Sequence, residues 1–176
     1  GLRSLKIYNN YSVIWMKLYI KRDVHSADSR FIVYDELCRE KYFIVSYGKS
    51  FDKLKITDTS GNVLTKIKRL PLPLLYAYSI TCNKQNFKFI LNPARTAQNC
   101  YFYGTSFYIA GRVFTKTFNI LDVDNSLVAT HSRCCKSCSD GYELNIIAEE
   151  NEQSCIAIAT CVNLASIAQN PALQTV

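Results

Sequence analysis

The residues best equipped for chemistry fall in one short stretch, where His131, Cys134, Cys135 and Cys138 follow one another. Cys135 and Cys138 form a Cys-x-x-Cys pair, a spacing shared by zinc-binding and thiol-redox segments. A tetrahedral zinc site usually draws its four ligands from two separated pairs, and only one pair stands here. On a strand, His131 and Cys135 share a face while Cys134 points the other way, so the set does not converge. Lys136 beside the pair would favour a thiolate. A thiol-redox or metal site is therefore the alternative reading, and a packing role is the leading one. A second group is cationic. Lys53 and Lys55 share one strand face, Lys66 and Lys68 share a face of the next strand, and Arg69 follows. If those strands pair, the four lysines form an outward patch suited to phosphate or carboxylate groups. The plainer alternative is a set of strand lysines that discourages edge aggregation.

Other chemistry finds no support. The histidines, His25 and His131, follow no nucleophile elbow or protease signature. No glycine-rich phosphate loop is present. The acids up to Cys138 are scattered at turns, so no carboxylate pair can be assigned to acid–base work. The chain reads as non-enzymatic, with no catalytic residue and no cofactor.

The elements that must carry these residues are short and two-fold in pattern. Leu18/Ile20 and Phe31/Val33 alternate with polar neighbours, as half-buried strands do. One unit recurs: FIVYDELCREKYFIV at 31–45, LKITDTSGNVLTKIK at 54–68 and FNILDVDNSLVATHS at 118–132, with a looser copy, YSITCNKQNFKFI, at 78–90. Each clear copy ends a strand on an aspartate, Asp35, Asp58 or Asp122, whose carboxylate can accept from amides two residues on. These are β-hairpins, Gly61 supplies a positive φ in the clearest one, and the aspartates are turn-formers. About twelve strands are predicted, near 17–22, 30–35, 41–47, 53–58, 63–69, 75–81, 86–91, 99–103, 107–111, 116–122, 127–133 and 141–147. Pro71 and Pro73 mark a break between two hairpins. The segment at 154–168, SCIAIATCVNLASIA, is apolar or small all round and carries no charge, so a helix there must be buried. A barrel of about twelve strands is wide enough to take a helix about 10 Å across, which answers both demands.

The chain has 176 residues, of which 48% are hydrophobic and 20% charged, a balance that fits one folded domain and excludes wholesale disorder. All 21 lysines and arginines lie between Arg3 and Lys136, against nine acids, a balance of +12. From Ser139 onward there are five acids and no base. A basic body favours anionic partners: nucleic acid, phospholipid head groups or phosphorylated ligands. Eight cysteines are too few for a disulfide scaffold, and several sit in apolar runs, as reduced thiols in a cytoplasmic protein do. Residues 1–15 follow no pattern and hold no apolar core of signal-peptide length, and the longest apolar run, at 155–168, is too short to span a bilayer. The expected organisation is an N-terminal extension at 1–15, a single domain at 16–170 and a tail at 171–176.

This layout resembles the LURP-one-related family, especially its bacterial YxjI-like members, within the tubby C-terminal-like fold. The residues that carry the resemblance are MKLYIKR from Met16, RFIVYDE at 30–36, LKITDTSGNVLTKIKR at 54–69, LLYAYSI at 74–80, FYIAGRVFTKTFNI at 107–120 and DGYELNI at 140–146. The resemblance implies a mainly β fold: a twelve-stranded antiparallel barrel enclosing a hydrophobic C-terminal helix. It implies no enzyme activity. It sets the chain beside tubby proteins, which bind phosphoinositides, and beside phospholipid scramblases, although no tubby lipid-binding motif is matched. The expected function is a binding module for an anionic membrane lipid or an acidic protein partner, cytoplasmic or peripheral to the membrane. No recognised signature supports a nucleic-acid partner.

Overall fold

The computed structural model describes residues 15–24, 29–47, 52–83, 85–134 and 141–169. Twelve strands precede one helix: β1 (Met16–Arg22), β2 (Ser29–Tyr34), β3 (Glu40–Ser46), β4 (Lys53–Asp58), β5 (Val63–Leu70), β6 (Tyr76–Cys82), β7 (Gln85–Leu91), β8 (Cys100–Tyr103), β9 (Tyr108–Arg112), β10 (Thr117–Leu121), β11 (Leu127–Arg133), β12 (Gly141–Ile146) and α1 (Glu152–Gln169). The strands make one sheet in the order β8-β7-β6-β5-β4-β3-β2-β1-β12-β11-β10-β9. Antiparallel pairing of β1 with β12 joins its two halves. Strands β8 and β9 remain as its edges, so the barrel is nearly closed, with a seam where residues 104–107 link them. The strands predicted from alternation and turn residues are those observed, to within a residue or two at their ends.

Three hairpin turns share one backbone geometry. The Asp35 carboxylate accepts from the amides of Leu37 and Arg39. Asp58 accepts from those of Ser60 and Asn62. The Asp122 carboxylate differs, accepting from the adjacent amide of Val123 and from the Ser106 hydroxyl rather than from an amide two residues on. In each turn the amide three residues on bonds back to the aspartate carbonyl: Cys38 to Asp35, Gly61 to Asp58, Asn125 to Asp122. Those three residues take the left-handed conformation, at φ 60°, 87° and 63°. Glycine adopts it freely; cysteine and asparagine hold it under strain.

Alternate residues of the strands point inward. Leu18, Ile20, Val33, Ile44, Ile56, Ile80, Phe89, Leu91, Ile120, Leu144 and Ile146 are fully buried. They pack around α1, which runs up the lumen for 18 residues, about 27 Å. Every helix residue from Glu152 to Val162 is buried, on all faces. Small residues, Ala157, Ala159 and Ala165 among them, let the wall approach closely. The polar ones bond along the helix itself: Thr160 Oγ1 to the Ile156 carbonyl at 2.7 Å, Asn163 Nδ2 to Ala159 at 2.9 Å, Ser166 Oγ to Val162 at 3.0 Å. The start of α1 is tied to the wall. Lys41 Nζ and Tyr42 Oη donate to Glu152 Oε1 at 2.8 and 2.6 Å, and Thr65 Oγ1 donates to Gln153 Oε1 at 2.8 Å. Burial, and then the carboxylate it serves, push the Tyr42 hydroxyl pKa up.

These ties fix polarity. The N-terminus of α1 lies beside the turns that carry Asp35 and Asp58. Its C-terminus lies at the other end of the barrel, where β5 passes to β6, β7 to β8 and β9 to β10.

Candidate functional site

Strands β4 and β5 do pair, and their register sets Lys53 directly opposite Lys68 and Lys55 opposite Lys66. Alternation turns these lysines outward, because Leu54, Ile56, Thr65 and Ile67 between them are buried. With about 4.8 Å between strands and about 7 Å between alternate residues, four ammonium groups rise from one small rectangle. The row continues across the sheet. Lys68 faces Ser79 on β6, and Ser79 faces Lys88 on β7, which faces Tyr103 on β8. Lys88 was missed in the sequence, although its place between buried Phe87 and Phe89 marks it as outward. Like charges directly opposite are destabilising. Among the described residues the ion pairs lie elsewhere: Lys17 with Glu143, Arg39 with Asp35 and Lys41 with Glu152.

Arg69 stands next to Lys68 but in the inward phase of β5, at the barrel end, and is exposed there. Its amide donates to the Asp52 carbonyl at 2.7 Å. Its guanidinium lies over the Tyr76 ring, 5.2 Å from the centroid. Arg69 therefore belongs to the mouth of the barrel and the lysines to its outer wall.

The His131 cluster takes a different form. His131 is on the inner face of β11, 1% exposed, with its ring stacked on Phe118 at 4.5 Å and on Tyr142 at 5.2 Å. Its Nδ1 donates to the Lys116 carbonyl at 2.6 Å, which leaves Nε2 as a buried acceptor with no partner. Burial, with the Lys116 charge adding to it, pushes the imidazole pKa down to about 4, so the ring is neutral near pH 7. Lys116 is itself buried, at φ 65°, and its ammonium group bonds the Tyr142 hydroxyl. Cys134 is half-buried, and its amide donates to the Gly141 carbonyl at 3.0 Å. Cys135 and Cys138 lie outside the described residues, as do His25, Lys136, residues 1–14 of the expected extension and the tail at 171–176. Among the described residues no three His, Cys, Asp or Glu side chains gather as a metal site would need. Cys82, Cys155 and Cys161 are buried free thiols facing the lumen or on α1. Burial raises the pKa of all three, the wrong direction for a reactive thiolate.

No described helix is long and apolar enough to cross a membrane. A profile of the LURP-one-related family matches residues 16–163. An uncharacterized protein of Bacillus subtilis strain 168, YxjI, is 26% identical over 153 residues, covering 85% of this chain and 93% of its own length. A protein of Arabidopsis thaliana solved by X-ray crystallography superposes with a TM-score of 0.55 at 12% identity, over 87% of this chain and 91% of that one. That likeness extends the fold to the plant protein, and the architecture is the tubby-like barrel expected from the sequence. With the matched profile running from the first residue of β1 almost to the end of the central helix, the chain belongs to the LURP-one-related family.

Proposed function

We propose that the chain is a non-catalytic module that docks on anionic phospholipid through the outer face of β4 to β7. The carrying observation is the lysine row: two lysine pairs set directly opposite each other, with Lys88 one strand beyond Ser79. Such an arrangement costs stability unless an anion neutralises it. A Lys or Arg near an anionic leaflet contributes about 1 kcal/mol. Five lysines acting together give about 5 kcal/mol, a submillimolar partition. The lumen is filled by α1, whose residues from Glu152 to Val162 are all buried, and the hairpin aspartates are engaged with their own amides. This reading goes with a peripheral position on the cytoplasmic side of a membrane, whose leaflet carries the anionic lipids.

The test is co-sedimentation with neutral, phosphatidylserine and phosphoinositide vesicles. Binding is expected only to the acidic ones. It should weaken as the Debye length falls from about 10 Å at 0.1 M salt to about 3 Å at 1 M. Discrimination between head groups of equal charge would point to a shaped pocket on this face. Absence of binding to all three at low salt refutes the lipid reading and leaves an acidic protein as the partner to pursue.

A further inference from the structure

The connection from β5 to β6 runs Leu70-Pro71-Leu72-Pro73-Leu74-Leu75, six apolar residues in a row. It faces solvent: Leu72 is 42% exposed and Leu74 92%. Leu74 also takes φ 64°, in the left-handed region. Glycine or asparagine would sit there with less strain. At that exposure the leucine recovers nothing by burial, so neither the backbone nor the core accounts for its type. Single exposed apolar side chains are ordinary. Two on one strained tip, stiffened by two prolines and set beside an unneutralised cationic face, are not.

The geometry joins the two features. Leu70 and Ala77 are the last paired residues of this hairpin. Lys68 precedes Leu70 by two positions, about 7 Å along the strand, and its flexible stem lets the ammonium group reach toward the tip. Lys53 faces Lys68 on the next strand. Arg69 lies on Tyr76 at the foot of the loop, with Asp52 as the acid beside this group. The hairpin aspartates Asp35, Asp58 and Asp122 sit at the opposite end of the barrel.

We infer that this loop is a bilayer-insertion tip. Leu72 and Leu74 enter the interfacial layer of an anionic leaflet, Lys53, Lys68 and Arg69 rest on its head groups, and the acidic end points away. The match is one of layers: apolar side chains project beyond cations, as hydrocarbon lies beneath anionic head groups. A convex apolar tip fits a fluid interface, which needs no complementary groove. The inference rests on the lipid-docking reading and adds to it a depth and an orientation.

The experiment uses the full chain with phosphatidylserine vesicles. Leu72→Ser with Leu74→Asn should lower the partition at least about tenfold while leaving its salt dependence intact, because the cations remain. Leu74→Asn alone should raise the melting temperature, by easing the left-handed residue, while lowering the partition. A leucine with a purely structural role would lower the melting temperature when replaced. Depth is read directly with Leu74→Trp in a Trp15→Phe background. Its emission should shift to the blue and be quenched by brominated acyl chains. Leu37→Trp, exposed in the Asp35 hairpin at the other end, should do neither. Unchanged partition in the leucine variants, with the wild type still bound, overturns the insertion and spares the docking. Loss of all wild-type binding overturns both. Capture by an acidic polypeptide with no blue shift at residue 74 also overturns the insertion.

Discussion

His131 offers the most direct check of the packing. The structure buries it as a neutral ring between Phe118 and Tyr142, with Lys116 adding positive charge nearby. In the unfolded chain its pKa returns to about 6.5, against about 4 in the fold. Between those values the unfolded state binds more protons, so stability rises with pH across the interval. The contribution is fully present above about pH 6.5 and is lost as pH falls toward 4. At 1.36 kcal/mol per pKa unit the loss is about 3 kcal/mol, a large part of the 5–15 kcal/mol that holds a domain together. The perturbation is His131→Phe. It keeps an aromatic ring in the stack and removes the titration. It also gives up the bond to the Lys116 carbonyl, so it should cost about 1 kcal/mol at pH 7.5. Urea unfolding of both proteins from pH 7.5 to 4 is the assay. The wild type should lose about 3 kcal/mol more than the variant over that range. Carboxylates titrate in both proteins, and the difference between the two curves removes them. Parallel curves would refute the buried, neutral histidine.

Three further expectations follow from the same geometry. Ile158→Asp sets an unpaired charge on a fully buried turn of α1 and should prevent folding, while Ile158→Val should melt cooperatively at a slightly lower temperature; a soluble Asp variant of unchanged stability would remove the central-helix packing. Lys66→Glu with Lys68→Glu turns two like-charge pairs into opposite ones, so stability should rise by about 0.5–1 kcal/mol while vesicle binding falls, and a fall in both would mean that the lysines serve the fold. At the hairpin turns, Gly61→Ala meets open space but at φ 87° and should cost about 1 kcal/mol, whereas Cys38→Gly should be neutral or stabilising; thermal melts separate the signs.

Most of the barrel was legible because inward and outward residues alternate cleanly, and because three hairpins repeat the same aspartate turn. The helix was legible for the opposite reason: with no polar face it had to be enclosed. The lysine patch could be written down only conditionally, since its geometry depends on register. A slip of one residue between β4 and β5 would have turned one pair inward. Lys88 is harder to place, because the copy at 78–90 is loose and does not by itself give the pairing of β6 with β7. The left-handed positions of Cys38 and Asn125 follow from their turns, and neither residue type announces them as Gly61 does. His131 reads as inward on alternation, but its stack on Phe118 and Tyr142 depends on three strands meeting in register. Lys116 follows a 3-10 turn, Val113–Thr115, that breaks the strand period, which is why a buried lysine was not anticipated. The Leu-Pro-Leu-Pro segment reads as a break between hairpins. Nothing in that pattern says which of its leucines stays out of the core.

The helix dipole does not account for the lysine face. An α-helix carries partial positive charge at its N-terminus and partial negative charge at its C-terminus, and side chains of the opposite sign gain at each. Glu149, Glu150 and Glu152 at the start of α1 answer that field, and the last turn of α1 carries no basic residue. That field cannot reach Lys53, Lys55, Lys66, Lys68 and Lys88. The dipole acts within the last helical turn, and these side chains leave the far face of the sheet, along the whole length of β4 and β5. Their charge is repelled by its own neighbours and served by no described ion pair. The anionic partner proposed for this face would offset that repulsion. On the insertion proposed for the apolar tip where β5 ends, Leu72 and Leu74 would have a use against a lipid leaflet and would stand idle against a soluble acidic protein.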